Sequence, residues 1–153
     1  MSHATSTNRP RPAPLYERDL YAWSLEQARL LKDGRLSEVD AENVAEEILD
    51  VGSTEFDKLE SALRVLLLHM LKWDHQSEKR SRSWENTIDI QRRHALRQLR
   101  KNPSLKSRTE EAVAEAYEDA RRLASSETDL DLDAYPETCP YDWDAILSRA
   151  FKR

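Results

Sequence analysis

Apolar residues crowd the stretch Leu63–Trp73, LRVLLLHMLKW, more densely than any other part of the chain. In helical projection Leu59, Leu63, Leu66, Met70 and Trp73 fall along one stripe, and Val65, Leu67, Leu68 and Leu71 carry the apolar surface most of the way round. A helix apolar on nearly every side is packed on nearly every side. The run is too short, and too charged at its ends, for the roughly 20 apolar residues that a membrane span needs. It predicts a central core helix near 54–74.

The flanking patterns predict helices that wrap this centre. Over Leu15–Lys32 the positions Tyr16, Leu20, Trp23, Gln27, Leu30 and Leu31 share one side. Asp33-Gly34 supplies a left-handed stop. Ser37 then reads as the cap of a second helix, with Asp40 as its capping-box acid. That helix is expected to turn Ala41, Val44, Ile48 and Val51 inward and Glu42 and Glu46 outward. Gly52-Ser53 either interrupts it or sits at a close crossing inside one long helix, since an internal glycine costs only about 1 kcal/mol. A fourth helix is predicted over Ser83–Lys101, with Trp84, Ile88, Ala95 and Leu99 inward, ending at Asn102-Pro103. A fifth follows over Ser104–Ser125, with Leu105, Ala112, Val113, Ala116, Ala120 and Leu123 inward. Leu130, Leu132 and Tyr135 are expected to anchor an irregular strap, and Asp142 to cap a short last helix carrying Trp143, Ile146 and Leu147.

The prediction is thus an all-α bundle, one domain over residues 15–153 with about five main helices and a short C-terminal one, preceded by a flexible tail over residues 1–14. Composition agrees: among 153 residues there are only two glycines, and the abundant Ala, Leu, Glu, Arg and Lys favour helix. A net charge of −5 with 35% charged residues describes an ordinary polar surface. It demands neither a membrane nor a nucleic acid as partner. The lone Cys139 forms no disulfide within the chain. Together with an N-terminal stretch that lacks an apolar secretion signal, it points to the cytoplasm.

The ordered segments YERDLYAWSLEQARLL, DAENVAEEILDVG, LLLHMLKWDHQ, RSWENTIDIQRR, NPSLK and CPYDWDAIL carry a resemblance. Over Tyr16 to about Leu147 the chain resembles a bacterial family of helical proteins, the domain of unknown function family numbered twenty-nine. The resemblance implies a helical bundle, with no agreed activity and no catalytic residues to carry over. Ser77 after Gln76 stands where a proline is expected, which affects the path of that connector.

Chemistry therefore has to be sought in polar residues on apolar stripes, because burying them requires partners. Glu47 flanks Val44, Ile48 and Val51. His69 lies between Met70, Leu66 and Val65, and Arg92 falls on the stripe of Ile88 and Leu99. One reading is a ligand pocket in which Arg92 binds a small anion while Glu47 and His69 move protons. The other, which is favoured, is a structural network in which Arg92 bridges Glu47 and His69 caps a neighbouring carbonyl.

Other patterns carry less. Glu46 or Glu47, His69 and His75 could ligate a metal, but the helical Glu-x-x-His pairing is missing and the two histidines lie on different faces; no metal or cofactor is expected. Asp129, Asp131 and Asp133 begin like a calcium loop, which fails at Ala134 and Pro140. Cys139 has no basic neighbour in sequence, and reads as a buried thiol. The basic segment 79–101, with Trp84 inside it, offers nucleic-acid binding as a second alternative, although Glu85 and Asp89 interrupt it. Ile90 faces away from Ile88 and could mark a contact with another chain. With no phosphate loop, nucleophile elbow or paired catalytic acids, the leading class is a non-enzymatic interaction or regulatory module that binds another protein or itself. An enzyme or ligand binder using Glu47, His69 and Arg92 is the alternative.

Overall fold

A computed structural model describes residues 12–152, so most of the expected tail, residues 1–11, lies outside the described residues. The fold is all-α. Its helices are α1 (Leu15–Arg18), α2 (Leu20–Lys32), α3 (Ala41–His75), α4 (Arg82–Lys101), α5 (Thr109–Thr128) and α6 (Trp143–Ser148), joined by short 3-10 turns. The chain forms two compact units, Met1–Asp50 and Val51–Arg153. Helix α3 contributes to both.

In the first unit the expected opening helix is divided at Asp19. Its backbone is extended there (φ −155°), and its carboxylate accepts the Ala22 N–H at 2.9 Å, so it starts α2 as an N-cap. Trp23, Gln27 and Leu30 are buried at helical spacing, and Tyr16 meets the Trp23 ring edge-on at 4.8 Å. Gly34 (φ 69°) stops the helix as expected, letting Arg35 N–H return to the Leu30 carbonyl at 2.9 Å.

The cap of α3 corrects the sequence reading. Ser37 lies in a 3-10 turn (Leu36–Glu38), and α3 begins at Ala41. Asp40 is its cap: its carbonyl accepts Val44 N–H and its carboxylate accepts from Asn43. Trp23 Nε1–H donates to Asp40 Oδ2 at 3.2 Å, and Gln27 Oε1 accepts the Asp40 N–H at 2.8 Å. Two side chains of α2 thus place the first turn of α3.

A second correction concerns the face of that helix. Val44 is half-buried, but Ala41, Ile48 and Val51, all expected inward, are exposed, Ile48 and Val51 each at 65%. Neither does Gly52 divide the helix or mark a crossing. Helix α3 runs unbroken through it, and a Cβ built there meets nothing within 4 Å.

In the second unit the expected centre is the centre. Leu59, Leu63, Leu66, Leu67, Met70 and Leu71 are fully buried. Ile88, Ala95 and Leu99 of α4 join the same core, as do Ala112, Ala116, Ala120 and Ala124 of α5. Alanines on one stripe allow close helix packing. Two details of α5 differ from expectation: Pro103–Arg108 forms a 3-10 turn before it, and Leu123 is exposed. Helix α5 ends at Asp129, in the left-handed region (φ 56°). The turned backbone brings the Leu130 carbonyl to the Ser125 hydroxyl at 2.7 Å. The strap then buries Tyr135, and Asp142 caps α6 by accepting the Ala145 N–H at 2.7 Å, so that Ile146 enters the core.

Candidate functional site

The polar residues singled out in the sequence each have a distinct partner. In the first unit Tyr16 donates its phenolic proton to Glu47 Oε1 at 2.8 Å. That hydrogen bond foremost, then burial and the charges of Glu46, Glu47 and Asp50, pushes the Tyr16 phenol up to about 12. In the second unit His69 donates Nδ1–H to the Val65 carbonyl one turn earlier, at 2.8 Å. Burial lowers its pKa, the Val65 bond opposes this, and Lys72 lowers it further. The imidazole is accordingly neutral at pH 7, with its proton on Nδ1.

Arg92 donates Nε–H to the Ile146 carbonyl at 2.8 Å and a terminal N–H to that of Ala145 at 3.1 Å. Its guanidinium also lies 5.2 Å from the centre of the Phe151 ring. It adds its donors to carbonyls at the end of α6, where that of Ala145 also accepts the Arg149 N–H at 3.2 Å. No hydrogen bond joins His69 to Arg92 among the described residues. Arg92 has spent two donors on the backbone, and His69 keeps one free nitrogen, Nε2.

Part of the basic segment is similarly engaged. Arg80 donates to the Trp73 carbonyl at 2.9 Å and lies over the Trp73 ring. Lys101 pairs with Glu55. Lys72, just before the segment, lies over Trp84 at 4.9 Å and pairs with Glu127 at 2.6 Å. Arg82, Arg93, Arg97 and Arg100 are exposed.

A cleft that the sequence reading missed runs along α5 in this unit. Thr109, Val113, Tyr117 and Arg121, one turn apart on α5, line one side, and residues 137–146 the other. Its volume is about 680 Å³. Tyr117 donates its hydroxyl to the Pro136 carbonyl at 2.6 Å, and Tyr141 donates to Asp74 Oδ2 at 2.8 Å. Burial pushes the Tyr117 phenol up to about 12 and the Tyr141 phenol higher still, Tyr141 with the help of Asp74. The Cys139 thiol, also raised by burial, faces the Tyr141 carbonyl at 3.6 Å and stays protonated at neutral pH. Sequence spacing could not reveal this cleft, because Tyr117 and Trp143 come from separate elements, and Tyr117 carries no signal of its own in the apolar pattern of α5.

The first unit presents a different kind of surface. Leu20, Tyr21, Leu25 and Leu31 of α2 and Ile48 and Leu49 of α3 are exposed, Tyr21 at 75% and Leu49 at 73%. On α2 Tyr21 and Leu25 lie opposite Trp23, Gln27 and Leu30, whereas Leu20 and Leu31, expected on the buried side, stand at its border and are exposed. On α3 Ile48 and Leu49 share a stripe with Ala41 and Ala45, and Glu42, Glu46 and Asp50 run along its edge at intervals of four residues. Scattered exposed apolar residues are normal, but this many on two neighbouring helices make the surface of the first unit unusually apolar. The apolar period of α3 carries this signal in the sequence, where it predicts an inner face; in the structure that face is open.

Among the described residues no helix is long and apolar enough to cross a membrane. Neither the curated proteins nor the solved structures contain a match to this chain. A family model described as Domain of unknown function DUF29 matches residues 15–152. That span takes in every helix of both units, and the chain belongs to the DUF29 family.

Proposed function

We propose that the chain is a non-enzymatic docking module of the bacterial cytoplasm, whose first unit takes up a basic amphipathic helix of a partner protein. The observation that carries this reading is the set of large apolar side chains left open on α2 and α3. These six, together with Leu36 in the turn between the helices, expose an area on the order of the ~800 Å² that each side contributes to a standard interface. Burying Ile48 or Leu49 against a partner is worth roughly 1.5–3 kcal/mol apiece.

The acids define the partner. Between residues 15 and 50 ten carboxylates face four basic side chains, and Glu42, Glu46 and Asp50, all exposed, border the apolar stripe. A helix with leucines on one face and lysines or arginines beside them matches both features. Ala41 and Ala45 in the stripe leave room for a close helix approach.

The test is fluorescence anisotropy with a labelled helical peptide built of leucine and lysine, against the full chain and its I48S/L49S variant. The expected result is saturable binding that weakens with salt and falls at least tenfold in the variant, with the melting temperature unchanged. Equal binding of a leucine–glutamate peptide, or undiminished binding by the variant, overturns the reading. So does concentration-dependent self-association abolished by I48S/L49S, which makes a second copy of the chain the occupant.

A further inference from the structure

The second unit carries a separate feature, independent of the docking surface: the cleft along α5. Three aromatic rings line it, those of Tyr117, Tyr141 and Trp143. The hydroxyls of both tyrosines are already committed, to the Pro136 carbonyl and to Asp74. The Tyr117 ring is itself buried, so what the cleft offers is the half-buried rings of Tyr141 and Trp143, whose faces are electron-rich.

Elsewhere the chain covers such rings with its own cations. Arg80 lies over Trp73, Lys72 over Trp84, Arg108 over Phe56, and Arg92 and Arg149 over Phe151, at 4.0 to 5.2 Å from the ring centres. Among the described residues no cation lies over Tyr117, Tyr141 or Trp143.

The charge of the lining has the same sense. Glu110, Glu118, Glu137 and Asp142 border the cleft against Arg121 and Arg122. Arg122 lies 3.6 Å from Glu118, and Arg121 donates Nε–H to the Tyr135 carbonyl at 3.1 Å. Asp142 is turned to the backbone of α6. Glu110 and Glu137 are exposed and have no ion pair among the described residues, which leaves the cleft negative. A volume of about 680 Å³ lies within the range of small-molecule sites.

We propose that this cleft binds an amphipathic organic cation, an ammonium group carried on an aromatic or branched alkyl body, with the charge over the rings and near Glu110 and Glu137. Ring faces attract a desolvated ammonium, while Val113 and Ala114 take its apolar part.

The experiment uses the full chain labelled with nitrogen-15 and the probe benzyltrimethylammonium, with benzenesulfonate as its counterpart of opposite charge. The cation is expected to shift the Trp143 indole N–H and the amides of Tyr117 and residues 137–143 in a saturable way. Benzenesulfonate leaves them in place. The E110Q/E137Q variant, altered only at exposed positions, should bind the cation several-fold more weakly with its spectrum otherwise preserved. W143L should lose the binding; because Trp143 also packs against the core, the glutamine variant is the deciding one. Equal shifts with benzenesulfonate, cation shifts confined to residues 15–50, or full-strength binding by E110Q/E137Q would each overturn the proposal.

Discussion

Arg149 grips the carboxylate of Asp74 with both terminal nitrogens, at 2.8 and 2.6 Å. Tyr141 donates to the same carboxylate at 2.8 Å, so one acid at the end of α3 fastens the last stretch of the chain at two points. Burial alone would raise the Asp74 pKa, but the Arg149 and Tyr141 hydrogen bonds and the positive charge of Arg149 prevail and hold it below its usual value of 3.8. A depressed carboxylate stabilises the fold at pH values above its ordinary pKa, and that stability is lost as pH falls through the folded value. Asp74→Asn is expected to cost about 1–2 kcal/mol at pH 7, a figure kept low because the pair is partly exposed. Urea unfolding at pH 7 and again below pH 4 should show the gap between variant and parent closing in acid.

Glu55 should show the same sign over a wider window. Lys58 first, then Asn102 and Gln98, lower its pKa; burial opposes them, Lys101 adds to them, and the result is about 2 against an ordinary 4.5. Gln98, Lys101 and Asn102 come from the end of α4, so this acid joins two helices of the second unit. Glu55→Gln is expected to lower the melting temperature by a constant amount from pH 7 to 5. The difference should shrink between about 4.5 and 2. A difference that persists undiminished at pH 2 would mean that the Glu55 charge is not what holds these helices.

Arg92 makes a prediction about a local segment. Its two bonds to the Ala145 and Ile146 carbonyls are charge-assisted, and Arg92→Ala should cost about 2 kcal/mol. Hydrogen exchange should quicken first at residues 143–151. Arg92→Lys should recover only part of the loss, because an ammonium cannot serve two carbonyls in the fixed geometry of the guanidinium fork. Slow exchange retained across α6 in Arg92→Ala would count against this assignment.

His69 titrates with the consequence of a depressed base. Above its ordinary value of 6.5 the ring is neutral whether the chain is folded or not, and the fold loses nothing. As pH falls below 6.5 the unfolded chain takes up a proton that the buried ring resists, so stability declines until the lower folded value is passed. His69→Leu removes this contribution. Melting curves between pH 7.5 and 5 should therefore slope less for the variant than for the parent; parallel slopes would argue against a neutral buried imidazole.

How far the sequence could be read depended on whether a signal was local or borrowed from elsewhere in the chain. The dense run Leu59–Trp73 specified its own burial, since a helix apolar all round has few places to go, and Gly34 and Asp142 marked ends through their own backbone chemistry. Asp40 reads in sequence as a partner of Ser37, because the side chains that fix it, Trp23 and Gln27, lie a helix away. Ile48 and Val51 show the general difficulty. Period tells which residues share a face, and says nothing of what covers that face. The cleft was illegible for a third reason: Tyr117, Tyr141 and Trp143 are unremarkable singly, and only the folded chain brings them to one lining.

The left-handed corner at Asp129 has a bearing on how this molecule could change under selection. An aspartate is tolerated there, yet its side chain crowds a backbone shape that glycine adopts freely. Directed evolution for heat resistance should thus favour Asp129→Gly early, while any β-branched replacement at that corner should yield a protein that is hard to produce.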